Sequence, residues 1–455
     1  LSDISGLRIT VMGLGLHGGG AAAARFFASH GAEVTVTDMK KCGDLAAGIE
    51  ALSDLKIRFV LGRHEQEDFS SADMVIKNPA VPRDSSYLAA AKRVETDISI
   101  FLRLSKRPLI AVTGSKGKST TASALAHVLE AVFPKTKLGG NITVSPLTFV
   151  ESCMEAAEDP VVLELSSWQL ADIPEISLLK PRVAVFTNLL HDHQDRYPDL
   201  ETYAADKKRI FASQSAEDAA VCGFDDPFGR RFAVSAAAAP YFFSRKPFAE
   251  LFDGGFLEKE IGYVRMNGLE ESCLPKETAL RGEHNKLNLL AAAVALRIFK
   301  VNPRSISSGL ANFPGIPHRM EVVKTVNGVR WYNDSAATIP EACAAAIRSF
   351  QDSVHLIVGG TDKNLDFSSL KEVFRIPKSI HLLEGSATDK LRYLLDEEKV
   401  FYYGPFSRLC DAVESARNSA HPGSAVLFSP ASTSFGMFLN EFDRGNRFKA
   451  LIEEL

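Results

Sequence analysis

I-A-V-T-G-S-K-G-K-S-T-T, residues 110–121, is the stretch on which the reading of this chain turns. A short apolar strand runs into a glycine turn, and the turn opens a helix continued by Ala124, Leu125, Val128 and Leu129. Gly114 and Gly117 allow backbone N–H groups to face inward around an anion. Lys118 adds a positive point charge, while Ser119 and Thr120 offer hydroxyls to a magnesium ion at the positive end of the helix. The glycine spacing is shorter than in the common G-x-x-x-x-G-K-[ST] loop. A plain helix cap after a buried strand explains one glycine, but not both glycines, a lysine and paired hydroxyls in that order. Gly114, Ser115, Lys116, Gly117, Lys118, Ser119 and Thr120 are therefore expected to cradle the phosphates of a nucleoside triphosphate.

The 455 residues exceed what one core organises, and length alone predicts about three domains. Hydrophobic residues at 45% and charged ones at 24% are the balance of an ordinary soluble globular chain. A formal net charge of −4 with no basic tract argues against nucleic acid as the main partner. Cys42, Cys153, Cys222, Cys273, Cys343 and Cys410 form no C-x-x-C pair. Neither a disulfide framework nor a zinc site is suggested, and a reducing cytoplasm is expected. No apolar run approaches a membrane span, and no signal-peptide pattern opens the sequence.

Around the phosphate loop, strands and helices alternate. Residues 7–13 predict a buried strand leading into Gly13-Leu14-Gly15-Leu16-His17-Gly18. A helix over 20–30 and a strand over 33–37 ending in Asp38 follow. That is a G-x-G-x-x-G fingerprint with an acid where a Rossmann unit holds a ribose hydroxyl. Taken alone it points to a nicotinamide or flavin dinucleotide, although any nucleotide-like diphosphate can use the same helix terminus. Strand-like runs at 57–61 and 73–76 complete a parallel βαβ domain.

Beyond the loop, 139–142 read as a turn and 161–165 as a strand carrying Glu164 between two leucines. A carboxylate in a strand apolar on both faces needs a cationic partner, and a loop-held magnesium ion would be one. A strand over 182–188 runs into His191, Asp192, His193 and Asp195, at the strand end where open α/β sheets place ligands. Residues 203–211 predict a helix with a basic run, and the helix opened by 282–288 puts Asn285 and Asn288 on one face. From about Pro314, strands expected at 329–332, 354–358, 380–383, 400–402 and 425–428 alternate with helices as a third, doubly wound α/β domain.

These pieces, in this order, resemble the Mur ligases of peptidoglycan synthesis. The resemblance rests on T-G-S-K-G-K-S-T (113–120), G-G-N-I (139–142), L-E-L-S-S-W-Q-L (163–170) and N-L-L-H-D-H-Q-D-R-Y (188–197). It continues in G-E-H-N-K-L-N (282–288), G-I-P-H-R-M-E (315–321) and N-D-S-A-A-T (333–338), and so covers essentially the whole chain. The glycine fingerprint, beside S-P-A-S-T-S-F and F-D-R-G-N, is most similar to the branch that adds D-glutamate. The family implies an α/β fold of three mainly parallel domains. These are a Rossmann-like UDP-sugar domain over 1–96, a P-loop-type ATPase over 97–314 and a Rossmann-like amino-acid domain over 315–455. It implies a cytoplasmic, monomeric ligase without membrane insertion. ATP and two magnesium ions would activate the carboxylate of UDP-N-acetylmuramoyl-L-alanine as an acyl phosphate, and D-glutamate would attack it.

Residue by residue, the resemblance makes Lys118, Glu164, His193 and Lys207 catalytic. Magnesium would be held by Ser119, Thr120, Glu164 and His193, and by Lys207 as a carbamate formed with carbon dioxide. Lys208 stands next door and keeps that register open. Asn285, Asn288, Arg319 and Asp334 join the ATP contacts, and Leu16, His17, Asp38, Asn141 and Ser166 fall on the UDP-sugar side. Thr338, Lys363 and Ser434 would hold D-glutamate, with the lining aromatic falling at Phe442 or, by strict count, on Glu441. Lys116, Ala80, His191 and Ala336 stand where the family commonly has Asn or Thr, Gly, Glu and Lys; Ala336 leaves the acceptor amino acid open. Two other readings remain. A dinucleotide-dependent dehydrogenase explains Gly13, Gly15, Gly18 and Asp38 but not 110–121, His193 or 282–288. A non-catalytic nucleotide-binding relative is the third.

Overall fold

Five parallel strands form the first sheet: β1 (Arg8–Met12), β2 (Glu33–Asp38), β3 (Ile57–Leu61), β4 (Met74–Lys77) and β5 (Val94–Glu95), in the order 3-2-1-4-5. β1 is central, with Val11 opposite Val36 on one side and Ile76 on the other. The topological switch at β1 and β4 opens a crevice at their carboxyl ends. The structure is a computed structural model; it describes residues 4–15, 18–142, 144–190, 197–280, 282–350, 353–362, 365–434, 437–438 and 440–455.

The second sheet holds β6 (Leu109–Thr113), β7 (Lys137–Gly140), β8 (Val161–Glu164), β9 (Val183–Phe186), β10 (Ala219–Gly223), β11 (Ala239–Ser244), β12 (Gly254–Glu258), β13 (Ile261–Met266) and β14 (Leu269–Leu274). Their order is 14-13-12-11-10-9-6-8-7, parallel except where β12, β13 and β14 fold back antiparallel. Every residue of β6, β8 and β9 is buried, as continuous apolar runs are in sheets covered on both faces. Val112 of β6 pairs with Glu164 on one side and Val185 on the other, so three strand ends lie side by side.

β15 (Glu321–Val326), β16 (Val329–Asn333), β17 (Val354–Gly359), β18 (Ser379–Leu383), β19 (Tyr403–Phe406) and β20 (Ala425–Phe428) form the third sheet, in the order 15-16-20-17-18-19. It is parallel apart from the β15–β16 hairpin. The chain divides into two compact units. Leu1–Lys276 with Leu287–Ala311 holds the first two sheets, and Glu277–Lys286 with Asn312–Leu455 holds the third. Among the described residues no helix is long and apolar enough to cross a membrane.

Three elements differ from expectation. Gly139 and Gly140 close β7 instead of opening a turn; a Cβ on Gly140 would meet the Glu164 carbonyl oxygen at 2.1 Å, so glycine lets β7 lie against β8. The strand expected at 400–402 is Tyr403–Phe406, and its Pro405 is tolerated because the strand is an edge. β10 to β14 carry no motif, and β13 and β14 are only partly buried, so no apolar run announces them.

A chain of buried polar groups crosses the start of β17 and β18. His355 Nδ1 lies 2.8 Å from Ser379 Oγ, which lies 2.7 Å from His381 Nε2, and His381 Nδ1 reaches Ser415 Oγ at 2.9 Å. Burial holds both imidazoles below the ordinary histidine range, His381 to about 4 with repulsion from His355 added. The folded state therefore binds fewer protons than the unfolded state between about pH 6.5 and 4. The stability these neutral rings contribute is complete above that window and is lost as pH falls through it. Thermal unfolding followed across the window should show an acid limb that His381→Gln flattens by about 1 kcal/mol per pH unit. An unchanged slope would remove the histidine pair as its cause.

Candidate active site

β6 ends in Thr113, and the chain turns through Gly114 and Gly117 into the helix Lys118–Val132. Close contact demands both glycines. A Cβ on Gly114 would meet Thr187 Oγ1 at 1.9 Å, and one on Gly117 would meet Asn288 Oδ1 at 2.2 Å. The carboxyl end of β9 pins the loop. Thr187 Oγ1 and Asn188 Nδ2 donate to the Lys116 carbonyl at 2.7 and 3.1 Å, and Lys116 N–H donates to Asn188 Oδ1 at 3.0 Å. Ser115 Oγ accepts from Leu190 N–H at 2.9 Å and lies 3.3 Å from the Tyr203 hydroxyl. The turn is thus held in shape, with a helix N-terminus behind it.

Two lysines converge on this turn. Lys118 Nζ donates to the Gly114 and Ser115 carbonyls at 3.0 Å each, and Lys207 Nζ donates to the Gly114 carbonyl at 2.8 Å. Lys207 is 1% exposed, with its Nζ 4.4 Å from the centroid of the Tyr203 ring. Lys208, the neighbour that left the register open, is exposed. Ser119 and Thr120 stand half-buried in the first helical turn.

Next to the loop, β8 ends in Glu164, 1% exposed. Its Oε1 accepts from Asn141 Nδ2 at 2.8 Å, while Oε2 is buried with no hydrogen-bond partner among the described residues. A buried carboxylate oxygen without a donor is costly. That orphaned atom fits these residues to magnesium, a hard cation commonly bound by one or two carboxylates together with substrate phosphates. Among the described residues no three His, Cys, Asp or Glu side chains gather into a cluster. His193, Leu16, His17 and Lys363 lie outside the described residues.

The remaining expected contacts fall unevenly. Asn288 is buried against Gly117, and its carbonyl accepts from Thr121 Oγ1 at 3.3 Å. Asn285, one turn earlier in the helix Glu283–Ile298, belongs to the other compact unit. Asp38 closes β2 and accepts from Gly15 N–H at 3.3 Å and Lys40 N–H at 2.9 Å. In the glycine turn, the close helix–strand approach falls on Gly20, where a Cβ would meet the Gly13 carbonyl at 2.3 Å; at Gly18 nothing lies within 4 Å. Asn141, expected on the sugar side, is tied to Glu164 by both its side chain and its N–H. Ser166 caps the helix Ser167–Asp172 in a reciprocal box with Gln169.

A cavity of about 560 Å³ lies where β4 meets the second sheet's helices, lined by Lys77, Pro79, Arg83, Trp168, Asp172 and Asp206 among others. Lys77 Nζ and Asp172 Oδ2, both buried, pair at 2.5 Å, and Arg83 Nε reaches Asp172 Oδ1 at 3.0 Å. None of these three was singled out from sequence; a lysine ending an apolar strand was the available signal.

In the second unit Asp334 is buried, accepting from Ser429 Oγ at 2.7 Å and Met320 N–H at 3.1 Å. Burial pushes its carboxyl up to about 7, with these bonds and Arg319 opposing. Arg319 is exposed and Thr338 half-buried. Ser434 lines a separate cavity of about 560 Å³ at the carboxyl ends of β17 and β18, together with Gly360, Thr361 and Phe438. Phe442 is not in that lining; its ring stands edge-on to His318 at 5.7 Å, and Phe438 is the aromatic at the cavity.

Three family models match successive parts of the chain: a Mur ligase MurD-like N-terminal domain over residues 7–100, a Mur ligase middle domain over 112–296 and a Mur ligase glutamate ligase domain over 318–432. Among similar proteins, the UDP-N-acetylmuramoylalanine–D-glutamate ligase of Borreliella afzelii is 40% identical, with 100% of this chain and 99% of the relative covered. Ligases of the same name from Roseiflexus sp. and Treponema pallidum are 41% and 38% identical, each over 99% of this chain. In fold the chain is similar to the UDP-N-acetylmuramate-alanine ligase of Thermotoga maritima, with a TM-score of 0.61 at 18% identity, covering 98% of this chain and 99% of the other. A MurF structure from Acinetobacter baumannii gives 0.60 at 16% identity, covering 99% of this chain and 93% of the other.

If Lys118 offsets negative charge at the loop, Lys118→Ala should lower ATP turnover on the order of 100-fold or more. Its melting temperature should stay near that of the native protein, because the side chain is only half-buried. Native-like turnover would remove this lysine from the chemistry.

Proposed function

The chain belongs to the Mur ligase family, and from that premise we propose that it is an ATP-dependent ligase adding D-glutamate to UDP-N-acetylmuramoyl-L-alanine in peptidoglycan synthesis. One observation carries the reading: Lys118 and Lys207 converge on the Gly114 carbonyl beside a buried Glu164 oxygen that lacks a donor among the described residues. A carboxylate is a poor nucleophile toward a polyanion, so positive charge must screen the phosphates and hold the attack in line. Lys118 stands where it can do so. The substrate carboxylate oxygen attacks the γ-phosphorus, the bond to the bridging oxygen breaks, and ADP departs with that electron pair. The amine of D-glutamate then forms the new C–N bond, phosphate leaves, and the nitrogen gives up a proton.

Magnesium, when bound, neutralises phosphate charge; Ser119, Thr120 and Glu164 would hold one ion and His193 a second. Asn141 fixes the Glu164 carboxylate through its 2.8 Å bond. Asn285, Asn288, Arg319 and Asp334 would complete the ATP contacts. Asp38, with Leu16 and His17, takes the UDP-sugar, while Thr338, Lys363 and Ser434 take D-glutamate. The domains 1–96, 97–314 and 315–455 bring UDP-sugar, ATP and amino acid together in a cytoplasmic monomer.

Lys207 is read as the carbamate. Its neutral amine would add to the carbon of carbon dioxide with loss of one proton, and the resulting anion would help hold the second ion. Its burial, against the exposure of Lys208, favours this register. Lys207→Ala should lose activity on the order of 1000-fold, with partial rescue by short carboxylates, while Lys208→Ala stays near native. The opposite pattern would move the modification by one residue.

Phosphate release from ATP, measured with UDP-N-acetylmuramoyl-L-alanine and a panel of amino acids, tests the whole reading. D-Glutamate should outpace L-glutamate, lysine and diaminopimelate. A basic acceptor used faster would replace the acceptor and keep the ATP chemistry. No release with any acceptor would leave a non-catalytic nucleotide-binding protein. Tight NADH binding without UDP-sugar binding would return the glycine turn to a dehydrogenase.

A further inference from the structure

β9 lies between β6 and β10, so the residues that leave it run between the phosphate loop on one side and the turn after β10 on the other. Their backbone is tied from both sides. On the loop side, Thr187 N–H donates to the Thr113 carbonyl at 2.9 Å, and Ser115 N–H donates to the Asn188 carbonyl at 2.8 Å. Leu190 N–H donates to Ser115 Oγ at 2.9 Å. On the β10 side, Leu189 N–H donates to Asp226 Oδ2 at 2.7 Å. Leu189 is buried, and a buried N–H that loses its acceptor is costly. The other oxygen of Asp226 has a separate task. Oδ1 accepts from Phe228 N–H at 2.8 Å and Gly229 N–H at 3.1 Å, capping the helix Pro227–Ser235. One carboxylate therefore fixes both a helix start and the exit of β9.

That exit carries the grip on the phosphate loop. Thr187 and Asn188 hold the Lys116 carbonyl, and Asn188 Oδ1 also accepts from Lys116 N–H. Across a trans peptide the C=O and N–H point in opposite directions. Holding the Lys116 carbonyl against the β9 exit thus turns the Gly117 N–H away from it. Gly117 stands at a φ of 85°, and a glycine offers such a peptide little steric resistance to turning over. The bonds from residues 187 and 188 hold it in one orientation.

We infer that Asp226 is a positioning residue for the phosphate loop, acting through Leu189 to hold Asn188 against the Lys116 peptide. The aspartate sets the place of the β9 exit, and the exit sets the Lys116 peptide. That peptide in turn sets which backbone N–H groups face an anion. The inference rests on the reading of residues 114–120 as the cradle for ATP.

Titration with magnesium–ATP of the native protein, Asp226→Ser, Asp226→Asn, Asn188→Ala and the Asn188→Ala/Asp226→Ser double variant tests it. Serine and asparagine both cap helices well, so the helix start survives. Each offers one acceptor oxygen where the carboxylate offers two, so the bond to Leu189 is lost. Both Asp226 variants should melt within a few degrees of native, yet raise Kd for ATP about tenfold, as Asn188→Ala also should. KM for the UDP-sugar and for D-glutamate should stay within about twofold of native, because neither contact is shared with the loop. In the Asn188→Ala background, Asp226→Ser should add less than about twofold, since both substitutions release the same grip. An unchanged Kd in both Asp226 variants, an additive loss in the double variant or an equal rise in every constant overturns the inference and leaves the ligase standing. A native protein that binds no ATP overturns the cradle reading and the inference with it. Should the Asp226 variants fail to fold, hydrogen exchange of the Leu189 amide in the native protein decides. Exchange slowed by magnesium–ATP supports the role, because coupling between two sites is reciprocal; exchange unaffected by magnesium–ATP overturns it.

Discussion

One backbone oxygen, the carbonyl of Gly114, accepts from the side-chain nitrogens of both Lys118 and Lys207, and the architecture of the first unit follows from making that possible. The carbonyl can be reached from two sides only because the loop leaves β6 between β8 and β9 with a glycine at its first position. Any side chain there would strike Thr187. The same strand order brings Glu164 to the next strand end, with one carboxylate oxygen on Asn141 and the other without a donor among the described residues. Lys118 at the turn and an unsatisfied carboxylate oxygen beside it form an arrangement that a magnesium-bound triphosphate would complete.

The helix that follows Glu164 is held at its far end by groups from two other elements. Lys77 and Arg83 grip Asp172 from the first sheet, and Arg209 donates to the Leu170 and Ile173 carbonyls from just beyond Lys207. A buried ion pair such as Lys77–Asp172 is weak evidence of net stability, yet losing one partner typically costs about 3–5 kcal/mol. Its value here is registry. β4, followed by Asn78 against Gly13 and Gly15, is locked to the helix that starts three residues after Glu164.

In the second unit, burial also tunes charge. Asp334 is pushed up to about 7 while accepting two hydrogen bonds, and Arg444 stays charged among neutral oxygens. Both sit at carboxyl ends of the third sheet, one on the turn after β16 and the other against the turn after β20.

The sequence by itself determined the phosphate loop, the strand that feeds it, the buried Glu164 and the Rossmann-like opening, because each is written in contiguous residues. Glycine position, apolar runs and helix starts are local properties of the chain. Even so, the close-packing glycine is Gly20, beyond the fingerprint, since only the folded helix shows which Cβ would strike the turn after β1. Tertiary structure alone decided that Lys207 meets a carbonyl 93 positions away, and that Lys208 faces outward. It also decided that Asn141 serves Glu164, that Lys77 finds Asp172, and that Arg444 ties the Ser335 and Ser432 turns together. Those are contacts between elements, fixed by the order in which parallel strands lie in the sheet. Strand order depends on packing across the whole domain, which no local pattern of residues encodes.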